Sequence, residues 1–129
     1  MSLTNYTKNF TDEELRCHCG CGSPEMPRRQ SQERLQRVRD LVGFPMPLTS
    51  AKRCRTHPIE AGKKSPGTHF DGFAFDSGNR GAEALKLLEI AKAEGFHRIG
   101  VSQKGINRFI HMDDAPIKSG RPAPHIWSY

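Results

Sequence analysis

Three residues carry the chemistry suggested by this chain: His69, Asp76 after six intervening residues, and His111 far downstream. Two neutral imidazoles and one carboxylate make a three-ligand set for zinc, and they leave a fourth position open for water. The surrounding words matter as much as the spacing. The first runs Ser-Pro-Gly-Thr-His-Phe-Asp-Gly-Phe-Ala-Phe-Asp from Ser65 to Asp76, and the second Arg-Phe-Ile-His-Met-Asp from Arg108 to Asp113. Any one of the three alone is more simply a hydrogen-bonded histidine or a structural carboxylate. The full set in these words favours a metal, and convergence on one ion makes metal-assisted hydrolysis the expected chemistry.

The elements that must position these residues follow from periodicity. Phe73–Asp76 reads as a strand with Phe73 and Phe75 on one face and Ala74 and Asp76 on the other. Arg108–Asp113 reads as a second, with Phe109, His111 and Asp113 sharing a face opposite Ile110 and Met112. Arg98–Ser102 precedes it, and the polar stretch 103–107 suggests a hairpin. Leu48–Arg53 is a further short strand. Three helices are expected. Thr11 and Glu14 offer a capping box for the first. Ser31 can cap the second, whose stripe is Leu35, Val38, Leu41 and Val42, closed by Gly43. The third spans about 82–93, with Ala84, Leu87, Leu88 and Ala91 inward and Gly95 at its end. Residues 1–10 read as a loose arm, 54–68 as a basic loop, and the Pro-rich tail ends in Trp127-Ser-Tyr129. The expected fold is a single α+β domain over 1–129: a short, mainly antiparallel sheet carrying the site, flanked by about three helices.

The chain has 129 residues, a net charge of +6 and a pI near 9.4. That length suits one domain with a modest core. The charge favours acidic partners, but it is spread in small clusters and accompanies no RNA-binding aromatic motif or helix-turn-helix, so no nucleic acid is expected. No stretch approaches the roughly 20 apolar residues of a membrane span. The first residues lack a basic region followed by an apolar run, so synthesis in the cytoplasm without a signal peptide is expected. Cys17, Cys19, Cys21 and Cys54 admit three readings: disulfides, free thiols, or a structural zinc with His18 as an alternative ligand. Alternate residues on an extended chain point to opposite sides, which favours disulfide or free thiol over metal.

Several segments together carry a family resemblance. They are Phe10-Thr-Asp-Glu-Glu-Leu-Arg-Cys-His-Cys-Gly-Cys-Gly22, Thr49-Ser-Ala-Lys-Arg-Cys54, the His69–Asp76 segment, Gly95-Phe96 to Gly100-Val101, Phe109-Ile-His-Met-Asp113 and the terminal Trp127-Ser-Tyr129. In this order they resemble the zinc D-Ala-D-Ala carboxypeptidase family of murein peptidases, whose relatives include phage endolysins and the hedgehog signalling domain. The resemblance implies zinc on His69, Asp76 and His111, and peptidoglycan peptides as substrate. It implies a wall-degrading hydrolase, acting at the bacterial cell wall in a phage or prophage setting and monomeric. It also implies that Arg53 matches the family arginine at the end of the substrate strand, where a guanidinium can clamp a carboxylate. An ordinary solvated charge is the competing reading for Arg53. His57 is a candidate pocket residue or plain surface, and Trp127 and Tyr129 are candidate groove walls or packing aromatics.

Relatives place a glutamate three residues, or a histidine two residues, before the last ligand; Arg108 and Phe109 stand there instead. Asp113, on the face of His111, is the candidate general base. Its rival role is orienting His111 through the ring nitrogen that does not bind metal. Asp114 and Asp71 are further candidates. Gly67 occupies the place of the usual serine before the first histidine, with Ser65 nearby. A non-catalytic zinc-containing binding module of the same fold is the alternative function.

Overall fold

The computed structural model describes residues 4–65 and 67–129. Met1–Leu3 of the expected arm and Pro66 of the basic loop lie outside the described residues. The fold is α+β, as expected, with a five-stranded mixed sheet ordered β1-β2-β4-β3-β5. Its strands are β1 (Leu48–Ser50), β2 (Ala74–Ser77), β3 (Arg98–Ser102), β4 (Phe109–Asp113) and β5 (His125–Ser128). Neighbours are antiparallel except β3 and β5, which run parallel. The helices are α1 (Asp12–Leu15), α2 (Arg29–Val42), α3 (Pro58–Ala61), α4 (Thr68–Asp71) and α5 (Gly81–Ala93).

The capping box at α1 forms: the Thr11 hydroxyl accepts the Glu14 N–H, and the Glu14 carboxylate accepts the Thr11 N–H. The segment before it is pinned rather than loose. Tyr6 N–H donates to Gln32 Oε1 at 2.6 Å, Lys8 and Asn9 N–H donate to Gln36 Oε1, and Phe10 is buried. Two glutamines of α2 thus supply the acceptors that an extended chain otherwise leaves to water. α2 begins before Ser31, which is not its cap. Ser31 is buried in the first turn and donates to Asp114 Oδ1 at 2.6 Å. Leu35, Val38 and Val42 face inward, whereas Leu41 stands off the stripe and is exposed.

Helices α2 and α5 cover one face of the sheet. Leu35, Val38, Leu87 and Ala91 pack there with Phe75, Ile99, Ile110 and Met112. Each of these side chains other than Ala91 contributes about 1.5–3 kcal/mol on burial. The alternation on β2 and β4 is the expected one: Phe75, Ile110 and Met112 go to this core, and Asp76 and His111 go to the other face. That other face holds the polar groups. Two differences from the expected elements lie along its rim. The 54–68 loop contains the one-turn helix α3, and α4 follows it. The tail also forms β5, which hydrogen-bonds along β3 and seats Trp127 opposite Gly100. No helix among the described residues is long and apolar enough to cross a membrane.

Candidate active site

Asp76 and His111 are direct cross-strand partners of β2 and β4, so their side chains leave the sheet side by side. His69 reaches the same point from α4, the one-turn helix that Gly72, at φ 85°, closes just before β2. The three side chains are all buried. Their ligand atoms lie within 4.8 Å of one another.

Each imidazole has one nitrogen already committed. His69 Nδ1 donates to the Ala51 carbonyl at 2.7 Å, which turns Nε2 toward Asp76 Oδ1 at 3.3 Å. His111 Nε2 donates to Asp113 Oδ2 at 2.7 Å, which turns Nδ1 toward the same Asp76 oxygen at 3.0 Å. Two ring nitrogens of opposite type therefore converge on one carboxylate oxygen, each fixed by an acceptor behind it. Burial lowers the pKa of His69 and keeps that ring neutral. Burial also works against charge on His111, but the Asp113 and Asp76 carboxylates outweigh it and raise that ring. Asp76, despite its burial, is held well below the usual carboxylate range by His69 and His111. Two nitrogens and an anionic oxygen, in a buried cluster this tight, fit a zinc-type cation.

Asp113 does not face this point. It is fully buried behind the His111 ring, takes Arg98 Nε at 3.1 Å and accepts the Ala115 N–H at 3.2 Å. Of the two roles expected for Asp113, its bond to the far ring nitrogen of His111 is the geometry of an orienting carboxylate. Asp114 points to the helical side, bonded to Ser31 and Arg34. Asp71 pairs with Arg121 at 3.0 Å.

Arg53 arrives beside Asp76. Its Nε donates to Ser50 Oγ at 3.0 Å and its Nη1 to Glu60 Oε2 at 3.1 Å, while Nη2 stands 3.6 Å from Asp76 Oδ2. Nη2 thus keeps donors for a ligand. Glu60 is buried, which alone would raise its pKa. The Gly67 N–H, Lys63 and Arg53 together bring it down to about 2. The groups form one string of alternating charge: Arg98, Asp113, His111, Asp76, Arg53, Glu60, Lys63. His57 is a helix cap, its Nδ1 accepting the Ile59 N–H at 3.1 Å. It faces a neighbouring hollow rather than the cleft over His69.

That cleft, of about 880 Å³, is bounded by Arg53, Ser65, Phe109, Trp127 and Tyr129 among others. The volume lies within the range of small-molecule and peptide sites. Trp127 touches the His111 ring at 5.0 Å between centroids, and the Arg98 guanidinium lies 5.1 Å from the indole. The indole reaches His111 only because Gly100 lies between them without a side chain. A Cβ there would meet Trp127 Cε2 and Nε1 at 2.7 Å. Arg98, Glu60 and Gly100 were not singled out from the sequence. A charge at the head of the otherwise apolar Arg98–Ser102 strand, in phase with Gly100, was the available signal for Arg98.

No curated protein matches the chain. A family model described as Peptidase M15 matches residues 8–113, a span that contains His69, Asp76, His111, Arg53 and all four cysteines and stops short of β5. Peptidases of that family are zinc-dependent, in keeping with the donor set described above. On this match the chain belongs to the Peptidase M15 family and is a metallopeptidase.

Proposed function

We propose that the protein hydrolyses D-amino-acid-containing bonds in peptidoglycan peptides, with zinc held by His69, Asp76 and His111. The observation that carries this reading is the buried His–Asp–His cluster at the floor of an open cleft with a partly free guanidinium beside it. Zinc in that position supplies Lewis acidity toward a scissile carbonyl and toward water. The remaining work falls to the chain. Arg53 Nη2 binds a substrate carboxylate next to the reacting bond, and Glu60 keeps the guanidinium aimed. Phe109 and Trp127 wall the cleft. Asp113 keeps the proton of His111 on Nε2, so Nδ1 stays directed at the floor. Tyr129, whose phenol burial raises, retains its proton at neutral pH and stands at the cleft to donate it. On this reading the protein acts at the bacterial wall, in the setting of phage or prophage lysis, as a monomer.

Mass spectrometry of purified peptidoglycan peptides, incubated with zinc-loaded protein with and without chelator, tests the reading. Chelator-sensitive products are expected. Loss of a terminal D-Ala would identify the exopeptidase, and internal fragments the endopeptidase. Intact peptides across several peptidoglycan types, with zinc bound, would overturn it.

One observation favours the second reading, a zinc-containing wall-binding module. Among the described residues around the cleft, Asp76 is the only carboxylate, and His69 and His111 are the only histidines. Co-sedimentation with intact walls, without cleavage, is the result that reading expects.

A further inference from the structure

None of the four cysteines lines the cleft over His69, although Cys54 directly follows Arg53. Their sulfurs converge: Cys17 Sγ is 3.4 Å from Cys19 Sγ, Cys19 Sγ is 3.4 Å from Cys54 Sγ, and all four lie within 4.8 Å of one another. None is bonded to another. The expectation that alternate residues diverge fails because the segment is not extended. Gly20 and Gly22 take φ of 87° and 73°, values that L side chains rarely adopt, and the chain curls so that the sulfurs of Cys17, Cys19 and Cys21 face one another at the surface, with Cys19 and Cys21 exposed. Cys54 arrives from the segment after β1 and closes the set.

Geometry separates the readings of this cluster. A disulfide joins sulfurs in pairs, whereas Cys19 stands equally between Cys17 and Cys54. Four sulfurs around one tetrahedral ion, with zinc–sulfur bonds of about 2.3 Å, would stand about 3.8 Å apart. The observed separations bracket that value. His18 is not a ligand, since its ring nitrogens face the Glu14 and Thr49 carbonyls at 2.9 and 3.1 Å. Those contacts instead tie the cysteine loop to α1 and β1. Arg16, adjacent to Cys17 in sequence, pairs with Asp12 at 3.5 Å and holds a buried Nε with no partner among the described residues.

We propose that Cys17, Cys19, Cys21 and Cys54 form a second, structural metal site that binds zinc as a tetrathiolate. Four thiols bind one zinc ion and release their protons to solvent, with no change of oxidation state. The site knots the loop after α1 to the residue that follows Arg53. The Lys52 N–H donates to the Leu15 carbonyl alongside it, so the same ion steadies the backbone that presents Arg53. The inference is independent of the proposed substrate and of the His69 cluster.

Metal content and cobalt spectroscopy of the full chain, purified under reducing conditions, test it. Two metals per chain are expected. The cobalt form should show an intense near-ultraviolet thiolate-to-cobalt band together with the visible bands of a tetrahedral site. His69→Ala should lose one metal and keep the thiolate band. Cys19→Ser should lose the band and the other metal. If Cys19→Ser does not fold, the band in the unmutated chain decides. A cobalt form without that band, or an intact mass four hydrogens lighter from two disulfides, would overturn the proposal.

Discussion

Replacing Gly100 with alanine is a one-carbon test of how the aromatic wall is seated. Gly100 is not in the left-handed region, so its backbone tolerates alanine and only space is at issue. The added Cβ would stand 2.7 Å from Trp127 Cε2 and Nε1 and 2.9 Å from Cζ2. Ordinary contact begins near 3.4 Å, so the indole must retreat by roughly 0.7 Å or more. Its surroundings leave little room, since His111, His125, Tyr129 and Arg98 all border the ring. Overpacking of this kind costs about 1–3 kcal/mol. At a domain of this size that is a fall in melting temperature of about 3–5 °C per kcal/mol. The assay is unusually clean because Trp127 is the only tryptophan, so intrinsic fluorescence reports this ring alone. A shifted emission maximum, a lower unfolding midpoint and a raised KM for peptide are expected. Emission unchanged and stability within about 0.5 kcal/mol of the parent would refute the wedge.

Other perturbations follow from the same geometry. Asp113→Asn should weaken zinc binding about 10–100-fold in a chelator competition, the usual cost of losing an orienting carboxylate. Unchanged affinity with lost turnover would restore Asp113 as a base. Glu60→Gln should destabilise the chain by up to about 3 kcal/mol at neutral pH, from a shift of 4.5 to about 2. Because the folded value is depressed, that stability is present above about pH 4.5 and is lost as the pH falls toward 2. Parallel denaturation curves for variant and parent should therefore converge in acid, and a gap independent of pH would contradict the assignment. His57→Ala should cost about 1 kcal/mol through the lost cap on α3 while leaving KM unchanged. A raised KM would return His57 to the substrate groove.

The convergence of His69, Asp76 and His111 was legible because much of it rests on short-range rules. Strand alternation alone put Asp76 on the site face of β2 and His111 on that of β4; the 98–102 strand formed as read, and the 108–113 strand formed one residue shorter, over 109–113. What escaped depends on contacts distant in sequence or on single backbone angles. β5 is four residues in a Pro-rich tail, and it is strand only because β3 offers a free edge. Ser31 looked like a cap until Asp114, far along the chain, claimed its hydroxyl. The cysteines seemed divergent because alternation assumes extended backbone, and two glycines at positive φ break that assumption. Asp113 was placed on the right face, but which ring nitrogen it met depended on the orientation of His111.

The string of alternating charge through the site has a kinetic consequence. Arg98, Arg53 and Lys63 balance Asp113, Asp76 and Glu60, but Lys118 and Arg121 also line the cleft on a chain of net charge +6, so the chain itself presents a positive field there. A divalent ion held there adds to that field, and the attraction of the cleft for anions strengthens on loading. Capture of an anionic peptide should accordingly be salt-sensitive already in the empty protein. In the loaded protein it should be faster and more salt-sensitive, with screening setting in at a Debye length of about 10 Å near 0.1 M salt. The metal would thereby govern how often substrate arrives as well as what happens to it afterwards.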